Sequence, residues 1–276
     1  MSAGPLAILA GAGALPWEAA SALAARRPVV VFAVEGEADD GPPGVETHRV
    51  GYGEVGRLRR LILERGCGEV LMLGAIRARP DYARILGDVD TLKLLPRLLR
   101  AAIGGDDAIV RKVIALFEEE GVRVVSVAEA VPELMAPAGA LGRHRPREDH
   151  LADIDVGARF LEAAASFDVG QAAVVVAGRV VAVEAAEGTD AMLARCAELR
   201  RARRFAGARG AGVLVKRAKE GQDMRADVPA VGAATLAGVV AAGLGGMALE
   251  AGRTVLAERA AMIAAADRAG AFVIAR

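Results

Sequence analysis

Leu6-Ala7-Ile8-Leu9-Ala10-Gly11-Ala12-Gly13-Ala14-Leu15-Pro16, written LAILAGAGALP, decides how the first half of this chain is read. A short apolar run enters two glycines and then a proline, which is tolerated at the first turn of a helix and not inside one. Strand, tight turn and helix in that order open a βα unit. Working outward, the pattern continues. Pro28–Val34 is a continuous apolar run, suited to a strand covered on both faces. Val45–Val50 reads as a weaker strand, Gly53–Arg65 as a helix and Glu69–Leu73 as a further strand. Helices are predicted over Asp88–Ile103 and Asp106–Glu120, the second opened by Gly104-Gly105-Asp106-Asp107, and Val122–Val127 closes the series. Strands alternating with helices imply a parallel, doubly wound, Rossmann-like sheet.

The pattern changes after Pro132–Pro146, PELMAPAGALGRHRP, which holds three prolines and two glycines and little periodicity. The predicted organisation is an α/β chain with a Rossmann-like N-terminal domain at 1–131, a linker at 132–146 and a distinct mixed α/β domain at 147–276. In the latter, Leu151–Ala165 is helical. Ala172–Val176, the turn Ala177-Gly178-Arg179 and Val180–Ala185 read as an antiparallel hairpin. A helix at Ala191–Arg203, a strand at Gly212–Lys216, a helix near Ala233–Ala242, short strands and a last helix-strand pair ending in Phe272–Ile274 follow. No repeat of solenoid period is present.

Composition excludes several classes. Lys+Arg and Asp+Glu both number 35 in 276 residues, so no general nucleic-acid footprint is expected, and 3% aromatics leave few rings for stacking bases. Cys67 and Cys196 make neither a disulfide framework nor a zinc ribbon, and suit a reducing cytosol. The first 25 residues hold no Lys or Arg, so no secretory leader is expected. Val228–Leu249 carries no charge and is long enough to cross a bilayer. Its Pro229 and glycines at 232, 238, 243, 245 and 246 make it instead a loop, a buried helix and a glycine turn. A soluble, cytoplasmic protein is expected.

Gly11 and Gly13 admit close approach of a ligand to the backbone, and the helix start beyond them presents N–H groups to an anion. A dinucleotide fingerprint wants a third glycine where Pro16 stands, yet Glu35 follows about 20 residues on, where a ribose-binding acid would sit. A nicotinamide-dependent oxidoreductase therefore stays open, beside a plain strand-to-helix turn. Neither a Walker loop nor a GxSxG elbow is present, and His48, His144 and His150 form no HExxH. His150 and Asp153 share a helical face; Asp149 is expected to cap that helix, and Asp153 and Asp155 to favour its positive end. Lys93 and Arg97 read as a solvated helix face.

The densest polar constellation is VEAAEGTDAML, Val183–Leu193, where a valine strand hands over to a helix. Thr189 or Asp190 can simply cap that helix. A carboxylate at a helix start also repels a phosphate unless a divalent cation lies between them, and hard cations take carboxylate oxygens together with substrate phosphates. A second acid, Asp227, stands in Arg225-Ala226-Asp227-Val228-Pro229; pairing with Arg225 or capping a helix are its structural readings. Between the two acids lies the basic cluster Lys216-Arg217-Ala218-Lys219. Carboxylates, a cation and lysines on one loop surface suit pyrophosphate chemistry.

AGAGALP, GDDAIVRKV, HLADID, DVGQAAVVV, VEAAEGTDAML and DVPAVG occur in this order along nearly the whole chain. Together they resemble the metal-dependent UDP-2,3-diacylglucosamine pyrophosphatases of lipid A synthesis, the type unrelated to calcineurin-like phosphoesterases. The family pattern has a third glycine where Ala12 stands and a threonine where Ala230 stands. The resemblance implies a lipid held between two domains and hydrolysis to UMP and 2,3-diacylglucosamine 1-phosphate with Mg²⁺ or Mn²⁺. It implies Gly11, Gly13, Gly188, Thr189, Asp190, Lys216 and Lys219 as substrate-binding candidates. Asp227 is the candidate catalytic residue, binding the cation or orienting the attacking water, with Asp190 as its partner in metal binding. A homodimer that touches the inner leaflet transiently is expected. A non-catalytic nucleotide-sugar binding module is the remaining alternative.

Overall fold

The computed structural model describes residues 4–51, 54–76, 91, 106–167, 169–205, 207–219 and 221–276. The helix expected over Asp88–Ile103, with Lys93 and Arg97, and the Gly104-Gly105 turn lie outside the described residues, apart from Thr91. The chain divides into two compact units, Met1–Pro132 with Asp223–Ala226, and Glu133–Gln222 with Asp227–Arg276.

The first unit carries β1 (Leu6–Ala10), α1 (Leu15–Ala24), β2 (Val29–Val34), β3 (Glu46–Val50), α2 (Val55–Glu64), β4 (Glu69–Leu73), α3 (Asp106–Glu119), β5 (Arg123–Val125) and the short α4 (Val127–Ala130). All five strands are parallel, in the order β3-β2-β1-β4-β5. The expected doubly wound sheet is therefore present, with β1 and β4 flanking the point where strand order reverses. The apolar runs work as continuous strands because both faces are covered: Ile8, Phe32 and Leu71 are all fully buried. α4 is fixed by a reciprocal cap, the Ser126 hydroxyl accepting from the Glu129 N–H while the Glu129 carboxylate accepts from the Ser126 N–H.

The second unit carries β6 (Gly139–Ala140), α5 (Glu148–Ala164), β7 (Ala172–Val176), β8 (Arg179–Val183), α6 (Gly188–Arg201), β9 (Val213–Lys216), β10 (Ala230–Val231), α7 (Ala233–Ala241), β11 (Gly246–Leu249), β12 (Val255–Leu256), α8 (Arg259–Ala269) and β13 (Phe272–Ala275). Six strands form a mixed sheet in the order β6-β13-β11-β9-β7-β8, and β10 and β12 form a small parallel pair. Residues 133–146, expected as a linker, belong to this unit: β6 pairs antiparallel with β13 along the outer edge. Strand alternation sorts β9 cleanly. Val213 and Val215 face α5 with Ile154 and Leu161, while Leu214 faces the opposite layer with Met192, Leu193, Leu236 and Val239. Truncating such a side chain as Leu214 to alanine costs about 2–5 kcal/mol.

The hairpin β7–β8 turns at Ala177 and Gly178, both at positive φ, 51° and 75°. Two consecutive positive-φ residues make the turn whose twist suits a two-residue hairpin loop. Its tip is tied down from α5, because the Asp153 carboxylate accepts from the Ala177 and Gly178 N–H groups at 3.1 and 2.6 Å. This corrects the expected role of Asp153, which is buried and serves a turn rather than the helix dipole. Asp149 is not the cap either. Arg147 occupies that position, and Asp149 pairs with it from the first turn. His150 is buried, with one ring nitrogen against the Arg147 N–H and the other against the Gly210 carbonyl. Asp155 pairs with Arg276.

Candidate active site

β8, β9, β11 and β13 run in one direction, so their carboxyl ends share one edge of the second unit's sheet. In open α/β sheets that edge is where ligands bind. It holds Glu184 just past β8, Lys216 as the last residue of β9, and Gly188-Thr189-Asp190 as the first turn of α6. α6 therefore begins at Gly188 and not at Ala191, and the Gly-Thr-Asp triplet lies inside the helix start. Gly188 has φ 79° with nothing near a built Cβ, so the position wants glycine for its backbone and not for space.

Lys216 sits where strand alternation aims it at α6 and α7, and its side chain is 6% exposed. Its ammonium donates to the Thr189 Oγ1 at 2.8 Å. The Thr189 hydroxyl donates to Glu184 Oε1 at 2.6 Å, and the Gln171 backbone N–H donates to Glu184 Oε2 at 3.0 Å. Thr189 and Glu184 are themselves 8% and 7% exposed, so this is a buried chain of polar groups. Burial pushes the Lys216 pKa down, and the charges of Glu184, Asp190 and Asp227 oppose that push. An ammonium has several N–H donors, and among the described residues only the Thr189 hydroxyl accepts from this one. A charged side chain buried with donors in excess is costly for the fold and suited to an anion.

Asp190 is exposed and accepts from the Thr235 hydroxyl of α7 at 3.3 Å. Asp227 is half-buried and accepts from the Gln222 side-chain amide at 2.6 Å. Arg225 pairs with Asp223 and Glu118 in the first unit, and α7 is capped at Gly232, so neither structural reading of Asp227 describes its place. Lys219 follows Lys216 in the loop, its N–H given to the Gln222 side chain at 2.8 Å. Glu187 pairs with Arg195 at 2.8 Å on the surface. The structure thus brings Thr189 against the Lys216 ammonium, with the charges of Asp190 and Asp227 acting on it. It adds Glu184, Gln171 and Thr235, which sequence reading passes over. The only signal for Glu184 was an acid closing a valine strand at a buried position.

No group of His, Cys, Asp and Glu dense enough to hold a metal by protein ligands alone occurs among the described residues. Mg²⁺ needs no such cage. One or two carboxylates with substrate phosphates and water serve it, and Asp190 and Asp227, whose charges both act on Lys216, are acids of that kind.

Gly11 and Gly13 lie in the first unit, at the carboxyl end of β1. A Cβ at Gly11 would stand 2.7 Å from the Ala75 carbonyl oxygen, where Ala12 and Ala75 bridge the loops after β1 and β4. Gly11 is therefore required by the chain's own backbone. Gly13, at φ 97° with open space beyond it, is the one free to approach a ligand.

Residues 5–134 match the LpxI N-terminal domain and residues 137–274 the LpxI C-terminal domain. The chain is also 42% identical over 273 residues to the UDP-2,3-diacylglucosamine pyrophosphatase LpxI of Caulobacter vibrioides, covering 98% of this chain and 96% of that one. The chain belongs to the LpxI family. Within an LpxI chain, the carboxyl-edge cluster around Lys216 lies wholly in the C-terminal domain match, and the glycine loop in the N-terminal one.

Proposed function

We propose that the chain hydrolyses the pyrophosphate of UDP-2,3-diacylglucosamine to UMP and 2,3-diacylglucosamine 1-phosphate. The observation that carries this is 42% identity, over 98% of the chain, to a protein bearing that activity in its name, and the Lys216 cluster supplies matching chemistry. In the reaction, water oxygen bonds to one phosphorus and the bridging P–O bond breaks, so negative charge on the phosphate oxygens must be balanced. Lys216 donates to those oxygens from a buried position, where water competes little. Asp227 would hold the attacking water or a cation, and Asp190 would share that cation. Mg²⁺ or Mn²⁺ would supply charge neutralisation there. Gly13, Gly188 and Lys219 contact the substrate in this reading, and Thr189 does so only through Lys216, since its hydroxyl proton is given to Glu184.

The expected setting is cytoplasmic and homodimeric, with transient contact to the inner leaflet. No helix among the described residues is long and apolar enough to cross a membrane. Incubation with UDP-2,3-diacylglucosamine and Mg²⁺, with and without chelator, tests the proposal. Metal-dependent UMP release is the expected result. NAD binding without UMP would restore the oxidoreductase reading of Gly11, Gly13 and Glu35, and substrate binding without turnover under any metal would favour a binding module.

A further inference from the structure

The chain Lys216–Thr189–Glu184 contains a residue that neither the motif nor the family reading assigns. We infer that Glu184 is a positioning residue, which acts through the Thr189 hydroxyl to orient the Lys216 ammonium toward the anion it binds. The inference rests on the reading of Lys216 as a phosphate-binding cation and adds the element that aims it.

The geometry has a direction. Both Glu184 oxygens act as acceptors, one from Thr189 Oγ1 and one from the Gln171 N–H. Because the Thr189 proton is given to Glu184, the hydroxyl faces Lys216 as an acceptor only, and Lys216 meets it with an N–H. One donor of the ammonium is thereby pinned, and a long, flexible side chain loses rotamer freedom before any ligand arrives. Glu184 is itself pinned, since its backbone N–H donates to Ala172 and its carbonyl accepts from Gly170. The anchor thus belongs to the β7–β8 hairpin, while the residue it aims belongs to β9. An apolar residue would fill this buried space at lower cost if packing were the only requirement.

With its oxygen toward the Gln171 N–H, an amide would turn its NH₂ on the Thr189 hydroxyl, which would then accept from it and lose the Glu184 acceptor for its own proton. Glu184→Gln and Thr189→Val should each lower kcat/KM on UDP-2,3-diacylglucosamine by about 10- to 100-fold, a fraction of what loss of a transition-state donor costs. Thr189→Ser keeps the hydroxyl and should stay within about threefold of wild type. The double variant Glu184→Gln/Thr189→Val should be no worse than either single one, since both break the same chain. Lys216→Met is the control for the underlying reading. If Lys216→Met remains active, Lys216 is not the phosphate ligand. If Lys216→Met is inactive while Glu184→Gln and Thr189→Val both turn over normally, or if their losses multiply, Glu184 does not position it. Should Glu184→Gln fail to fold, Glu184→Ala takes its place: a kcat/KM within about threefold of wild type overturns the proposal, and a loss of about 10- to 100-fold that Thr189→Val does not deepen supports it.

Discussion

Each unit keeps a cluster of charges at an edge of its sheet, and the two are built on opposite terms. In the first, Glu69 opens β4 and meets Arg27 at 2.5 Å and Arg123 beside it, while Arg123 also reaches Glu129 at 3.2 Å. Every charge there has an opposite partner. Burial pushes the Glu69 pKa up, but its hydrogen bonds and charge contacts with Arg27 and Arg123 outweigh that and hold it below the usual carboxylate value. In the second unit, Lys216 closes β9 with one neutral acceptor, Thr189, at hydrogen-bonding distance among the described residues, and its pKa is pushed down by burial. A satisfied cluster staples strands together. A buried ammonium with donors to spare is the kind of group an anion would satisfy, and the contrast sets the two clusters apart without any motif.

The strongest challenge to this contrast is Asp227→Ala. If the unsatisfied cluster is catalytic, steady-state UMP release should show kcat falling by about 10²- to 10⁴-fold with KM little changed; near-normal kcat at saturating Mg²⁺ would remove the assignment. Lys216→Met should follow, with kcat/KM down about 10²- to 10³-fold. The melting temperature of the same variant should change little, because losing an under-paired buried ammonium is offset by leaving Glu184, Asp190 and Asp227 with one cation fewer. Activity lost together with a lower melting temperature would make Lys216 a structural residue instead.

Glu69→Gln should do the reverse, costing about 1–2 kcal/mol in urea unfolding and leaving turnover unchanged. Its pH dependence has a definite sign. With a folded pKa below the unfolded value of about 4.3, Glu69 contributes stability that is present above that value and lost as pH falls through the folded one. The variant should therefore flatten the acid limb of stability and leave the neutral region merely lowered. The smallest expected effects separate the two loop glycines. Gly11→Ala should lower the melting temperature through its clash with the Ala75 carbonyl. Gly13→Val should raise KM and keep the fold, apart from modest strain at positive φ. Unchanged KM and kcat in Gly13→Val would return that loop to a plain turn.

The legible parts of the chain are those where local pattern and fold agree. Continuous apolar runs such as Pro28–Val34 announce strands covered on both faces, and Ala177-Gly178-Arg179 between two valine runs announces a hairpin. Val228–Leu249 reads as loop, helix and turn from Pro229 and its glycines, and its last four residues depart from that, forming the buried strand β11. Roles made by long-range pairing were not. Asp153 sits where a helix dipole explains it, until a turn 24 residues away proves to need its oxygens. Glu184 looks like the tail of a valine strand because its partners, Thr189 and through it Lys216, converge only once α6 and β9 pack. The start of α6 was placed at Ala191, since glycine and threonine are weak helix formers, and a helix that begins at Gly188 turns a loop reading into an N-terminal one.

The strand order of the two sheets also sets a timetable for synthesis. β1 to β5 span residues 6–125, so every pairing in the first sheet can be made while the later half of the chain is still being translated. The second sheet places β13, at Phe272–Ala275, between β6 and β11. Until those residues leave the ribosome, β11 shows an open edge, β6 has no neighbour, and the apolar layer that holds Lys216 stands partly uncovered. Maturation of the layer around Lys216 is thereby tied to β13, and a nascent or truncated chain lacking it exposes an aggregation-prone edge along β11.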